Sequence, residues 1–146
     1  MWCMQQQGKG VKIMESLILK IRISVLWLFM AIAMSAHGVL SFMEPNLVHQ
    51  LISGEMMIDP IMFFFMSLFW WVPLVMAFLS VTLKDLVNRR LNLVMGAAFT
   101  ILNIFHLIEH LIQPSAHQLL IIGSTVVVTA LIFWYAWKWP KQGTAN

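Results

Sequence analysis

Four long apolar runs, at about residues 23–43, 61–83, 91–112 and 117–137, alternate along the chain with short segments of charged, amide, glycine and proline residues. Each run is close to the roughly 20 residues needed to cross a hydrocarbon core of about 30 Å. Lipid offers no partner for backbone N–H and C=O groups, so all four runs are expected to be helices. The expected fold class is therefore all-α: a four-helix antiparallel transmembrane bundle that forms one domain over residues 1–146. Lys84 to Arg90 reads as a tight turn, as does Gln113-Pro114-Ser115-Ala116. The longer connection begins at Glu44-Pro45 and ends at Asp59-Pro60, and a residue before proline is pushed out of the α region. Between these boundaries Leu47, Leu51 and Ile52, with His49 and Gln50, suit a short interfacial helix.

Residues 1–13 are expected to be a mobile tail, because Met14-Glu15-Ser16-Leu17 opens a more conventional leader and could itself be the start. Lys20 and Arg22, the apolar run from Ile23 to Met30, and Ala31-Ile32-Ala33 imitate a cleavable signal peptide. The run continues past Ala33 far enough to span, which favours retention. Cys3 is the single cysteine, so no intramolecular disulfide can form.

Composition strengthens the membrane assignment. The chain is 60% hydrophobic and 10% charged, against about a quarter charged in soluble domains. All nine Lys and Arg residues fall on one side of the four-span pattern: Lys9, Lys12, Lys20 and Arg22 before the first run, Lys84, Arg89 and Arg90 between the second and third, Lys138 and Lys141 after the fourth. By the positive-inside rule both termini face the cytoplasm in a multi-pass cell-membrane protein. The formal charge of +3 thus meets anionic headgroups of the lipid bilayer, and nucleic acid is excluded as a partner. Trp134, Tyr135, Trp137 and Trp139 around Lys138 form an aromatic and cationic anchor at the cytoplasmic interface. Small residues four apart, Ala31 with Ser35, Gly96 with Thr100 and Thr125 with Thr129, allow helices to approach closely.

Candidate chemistry concentrates on the outer half of the third span. At about 100° per residue Asn103, His106, Glu109, His110 and Gln113 share one stripe. His37 lies about six residues from the outer end of the first span and His106 about seven from that of the third, so both sit roughly 10 Å deep and can face each other. Glu44, His49 and His117 lie above them. The candidate ligand-binding set is His37, Asn103, His106, Glu109 and His110, and the candidate metal ligands are His37, His106 and His110. No catalytic set is identified. Ionisable groups within spans point to function by default, although histidines near headgroups can also be merely solvated.

These residues bear on several chemistries. His106-Leu107-Ile108-Glu109-His110 matches the inverted zinc-protease pattern H-x-x-E-H, but no third ligand has a defined spacing and a small bundle offers no substrate cleft. A haem between His37 and His106 is geometrically plausible, although no second pair continues an electron path. Met43, Met56, Met57 and Met62 around His49 could favour Cu(I), yet twelve methionines spread along the chain read better as flexible apolar filling. Proton-linked transport lacks acids and histidines in the inner half. Trp70-Trp71-Val72-Pro73 suggests a kink in the second span, with Ser67 or Asn103 as candidate partners for the indole N–H groups.

Leu26-Trp27-Leu28-Phe29 leading to Leu40-Ser41-Phe42-Met43-Glu44-Pro45, together with Ile132-Phe133-Trp134-Tyr135-Ala136-Trp137-Lys138-Trp139, resembles an uncharacterised family of small bacterial four-helix integral membrane proteins. The resemblance is strongest in the first and fourth spans. It implies the topology and a bacterial inner membrane, and it implies no site. The histidine-rich third span departs from the family's pattern. Taken together, the sequence suggests a non-enzymatic accessory, interaction or small-ligand-binding membrane protein with an outer-facing His/Glu/Asn pocket, acting as a homo-oligomer or with a membrane protein partner. The alternative is a component of redox or transport chemistry that binds a transition metal or haem through His37 and His106 or His110.

Overall fold

The computed structural model describes residues 2–54, 59–112 and 114–140, and every regular element within them is helical. Helix α1 runs over Trp2–Phe42, α2 over Pro45–Ser53, α3 over Pro60–Thr82, α4 over Asp85–His110 and α5 over Ala116–Lys138. Residues Ile13–Phe42 of α1, together with α3, α4 and α5, make four helices long and apolar enough to cross a membrane. This is consistent with a multi-pass membrane protein. Helix α1 also continues through residues 2–13. At 1.5 Å per residue its full length is about 60 Å, roughly twice a hydrocarbon core.

Local chemistry sets the helix boundaries. Pro45 and Pro60 begin α2 and α3, where a missing N–H costs nothing, and the Asp59 carboxylate accepts a hydrogen bond from Ile61 N at 2.9 Å. Helix α2 stops at Gly54, whose φ of 72° is the left-handed conformation that glycine adopts without strain. Helix α4 starts at Asp85, ahead of the expected Leu91, so Arg89 and Arg90 lie in the helix and the turn before it is correspondingly short. Asp85 favours this early start because a carboxylate in the first turn complements the helix dipole.

Helix α1 packs against both α3 and α5, α4 packs mainly on α5, and α3 and α4 touch only sparsely. The buried stripe of α1, Ile23, Trp27, Met30 and Met34, alternates steps of four and three and faces Met76, Ala77, Phe99, Val128 and Ile132. Trp27 meets Phe99 edge to face at 5.4 Å, and Phe69 lies 5.1 Å from Phe99. Most other large apolar side chains, Phe63, Phe64, Phe65 and Phe78 among them, point outward, as a lipid solvent allows. Trp71 is 66% exposed and Trp70 lies beside Gly38. The Ser67 hydroxyl donates to the Phe63 carbonyl, and Asn103 is engaged by Met30 and Thr129, so the hydrogen bonds of both run to other groups than the indoles.

Helices α4 and α5 approach closely at Gly96. A Cβ there would lie 2.9 Å from Phe133 N and 3.1 Å from its Cα, both backbone atoms that cannot rotate aside. Gly96→Ala is therefore expected to destabilise the bundle by about 1–3 kcal/mol through overpacking of α4 on α5. Gly123→Ala, where nothing lies within 4 Å of the added carbon, should be neutral or slightly stabilising. Reversible unfolding in mixed detergent micelles measures both.

A buried polar network ties α1, α3 and α4 together in the half of the bundle away from the histidines. The Asn92 side-chain carbonyl accepts from Trp27 Nε1 at 2.7 Å and from Ser80 Oγ at 3.2 Å, while its NH2 donates to Asn88 Oδ1 at 2.6 Å. Asn88 Nδ2 donates to the Ser80 carbonyl, and Ser24 Oγ to the Ala77 carbonyl. Asn88, Asn92 and Ser80 are fully buried. At the end of this network Lys20 pairs with Asp85 at 2.8 Å, and Ser16 also donates to that carboxylate.

Candidate metal centre

His37 extends the buried stripe of α1 by one step of three beyond Met34, which turns it inward. On α4 the inward line runs through Asn88, Asn92, Gly96, Phe99 and Asn103, again in steps of four and three, and its next members are His106 and His110. Three imidazoles thereby converge from two helices. Their centroids lie 5.3 Å (His37 to His106), 5.1 Å (His37 to His110) and 4.7 Å (His106 to His110) apart, with each pair of rings nearly perpendicular. One ring nitrogen from each lies within 4.8 Å of the other two. Nitrogens held 2.0–2.1 Å from one tetrahedral ion are roughly 3.3 Å apart. Binding such an ion would draw the nitrogens together by up to about 1.5 Å.

Two of the ring nitrogens lack partners. His37 Nδ1 and His106 Nε2 are both buried with no hydrogen bond. A buried donor or acceptor left unpaired costs about 1–3 kcal/mol, so a cluster in which two of the three rings carry one suits a third body that satisfies both. His106 Nδ1 is on the other side of its ring, 3.7 Å from the Glu109 carboxylate. Glu109 itself is 77% exposed at the rim and outside the triangle.

Asn103 lies one turn below His106 and is fully buried. Its NH2 contacts Met30 Sδ at 3.7 Å and Thr129 Oγ1 at 3.5 Å, and its Oδ1 has no partner. Above the histidines, His110 Nδ1 and Gln118 Oε1 are 2.7 Å apart, and Gln118 Nε2 donates to Glu44 Oε1 at 2.9 Å. His117 Nε2 is 3.3 Å from the same carboxylate oxygen, and His117 Nδ1 shares a 2.7 Å hydrogen bond with Ser115 Oγ. His49, on α2, is exposed, and Met43 and Met62 are exposed as well. Gln113, Met56, Met57 and Lys141 lie outside the described residues.

The structure thus brings together His37, His106 and His110, places Asn103 beneath them and leaves Glu109 at the rim. Sequence reasoning missed Gln118. Its signal was an amide at the very start of the fourth span, across a short turn from His110. No family model matches the chain, and neither does any curated protein or solved structure.

Proposed function

We propose that the chain is a non-enzymatic integral membrane protein, with four antiparallel spans and both termini cytoplasmic, that binds a transition-metal ion at its outer end through His37, His106 and His110. The observation that carries this reading is the convergence of three ring nitrogens within 4.8 Å. Imidazole suits zinc, copper, iron and nickel, and two of the three rings present an unpartnered buried nitrogen. A haem suits the site less well. The rings of His37 and His106 touch edge to face, so a porphyrin would have to part them. Glu109, the general base in the peptidase pattern, is exposed at the rim, which argues against that chemistry.

A bacterial inner membrane, and kinship with the small four-helix family that the first and last spans resemble, belong to the same proposal. Lys84, Arg89, Arg90 and Lys138 fall at the end away from the histidines, which supports cytoplasmic termini. Cys3 reports on this directly. A membrane-impermeant maleimide should leave it unlabelled in intact cells and label it once the membrane is opened, and labelling of intact cells would reverse the orientation.

The metal reading is tested by metal analysis and an optical spectrum on protein purified in mild detergent, with His37→Ala and His106→Ala alongside. Stoichiometric metal in the native protein and its loss in both variants is the expected result. A colourless, metal-free protein that takes up no added ion would overturn it and favour the second reading, an accessory or small-ligand-binding subunit of a homo-oligomer or larger membrane assembly. The buried, unpartnered Asn103 Oδ1 supports that reading as a ligand acceptor.

A further inference from the structure

The hydrogen-bond chain from Glu44 through Gln118 to His110 has only one sense. An ionised carboxylate can only accept, so the Gln118 atom facing Glu44 is its NH2. The other end of the amide is then a carbonyl oxygen, which can also only accept, and it faces His110 Nδ1 at 2.7 Å. His110 Nδ1 therefore carries the proton. A neutral imidazole protonated at Nδ1 keeps its lone pair on Nε2, the nitrogen on the far side of the ring from Gln118.

We propose that Glu44 and Gln118 are positioning residues that hold His110 in this tautomer, so that its Nε2 joins His37 Nδ1 and His106 Nε2 as a three-nitrogen face for a zinc-class divalent ion. The proposal rests on the metal reading above and names the ion and the coordination. Metal-bound histidines commonly donate their second N–H to a carboxylate, carbonyl or water, which fixes the ring and raises its basicity. Here an amide carbonyl backed by a carboxylate fills that role for His110. Three neutral imidazoles with no thiolate match the zinc pattern of three protein nitrogens and one open position. Among the described residues the group joins three histidines with no thiolate or carboxylate. The fourth position falls to water or a small anion.

The relay makes its own prediction about the metal-free protein. Nitrogen-15 spectra of histidine-labelled protein in detergent, without metal, should show His110 protonated at Nδ1, and Gln118→Leu should abolish that preference. Zinc affinity, with cobalt as the spectroscopic stand-in, should fall about 10–100-fold in Gln118→Leu while the ligand count stays at three. Glu44→Gln should cost less, because its amide can still accept from Gln118. Gln118→Met preserves side-chain length and should behave like Gln118→Leu, which separates loss of the hydrogen bond from loss of packing. Native protein that binds zinc while both Gln118 variants bind it equally well would overturn this proposal and leave the metal reading standing. A His110 protonated at Nε2 in the metal-free native protein would overturn it as well. Native protein that binds no zinc, cobalt or other transition metal would overturn the metal reading itself.

Discussion

Zinc is expected to bind His106→Ala more than about 100-fold more weakly than it binds the native protein, with the same outcome for His37→Ala and His110→Ala. Losing a group that merely orients a ligand typically costs about 10–100-fold in metal affinity, so losing a ligand should exceed that range. A double variant should add little to either single one, because residues that share one ion are not independent. Glu109→Ala is the informative contrast. Its carboxylate is 77% exposed and 3.7 Å from His106, outside the triangle. Its loss should therefore change affinity by less than about 3-fold, as for a solvent-screened pair. Protons compete with metal for each ring nitrogen, so apparent affinity should also fall as the solution is acidified. Competition titration against a chelating dye measures all of these. Equal affinity in the histidine variants and the native protein would remove the three rings from the function.

Asn92→Leu is expected to destabilise the bundle by about 2–3 kcal/mol. Interhelical hydrogen bonds in membranes average about 0.6 kcal/mol, with a maximum near 1.7. Asn92 makes several such bonds at once. Removing its amide leaves Trp27 N–H, the Ser80 hydroxyl and Asn88 Oδ1 to find other partners in a buried site. Ser80→Ala, by contrast, removes one long bond of 3.2 Å while Asn92 Oδ1 still accepts from Trp27, and should cost about 0.5 kcal/mol. Unfolding in mixed micelles, with tryptophan fluorescence as the probe, separates the two values. A change below about 0.5 kcal/mol in Asn92→Leu would show that lipid or water replaces the lost contacts.

Much of the candidate site was legible along the chain. His37, His106 and His110 stand out because polar groups are costly within apolar runs, and helical periodicity alone puts His106 and His110 one turn apart on one face. The depth argument that pairs His37 with His106 uses only the rise per residue. Glu109 illustrates the limit of that reasoning. It falls within the same broad stripe as the histidines, yet a residue three beyond His106 can sit at either edge of the buried face, and here it sits at the exposed edge. Gln118 and Glu44 were harder still. Their contact joins residues 74 positions apart, and no local pattern encodes it. The inward line on α4 extends well beyond the histidines to Asn88 and Asn92, whose four-residue spacing was visible but whose partners Trp27 and Ser80 were not.

The sequence by itself determined which four segments are long and apolar enough to cross a membrane, because length and hydrophobicity are local properties of the chain. It also determined the spacing of the polar groups along each helix. Only the tertiary structure decided which faces meet. That depends on how far each helix is rotated and how closely it approaches its neighbour, as where Gly96 lets α4 lie against the backbone of Phe133. With that approach set, His37 and the two α4 histidines share one space and Gln118 reaches His110. A triangle of ring nitrogens is a property of three side chains on two helices, and no single stretch of chain contains it.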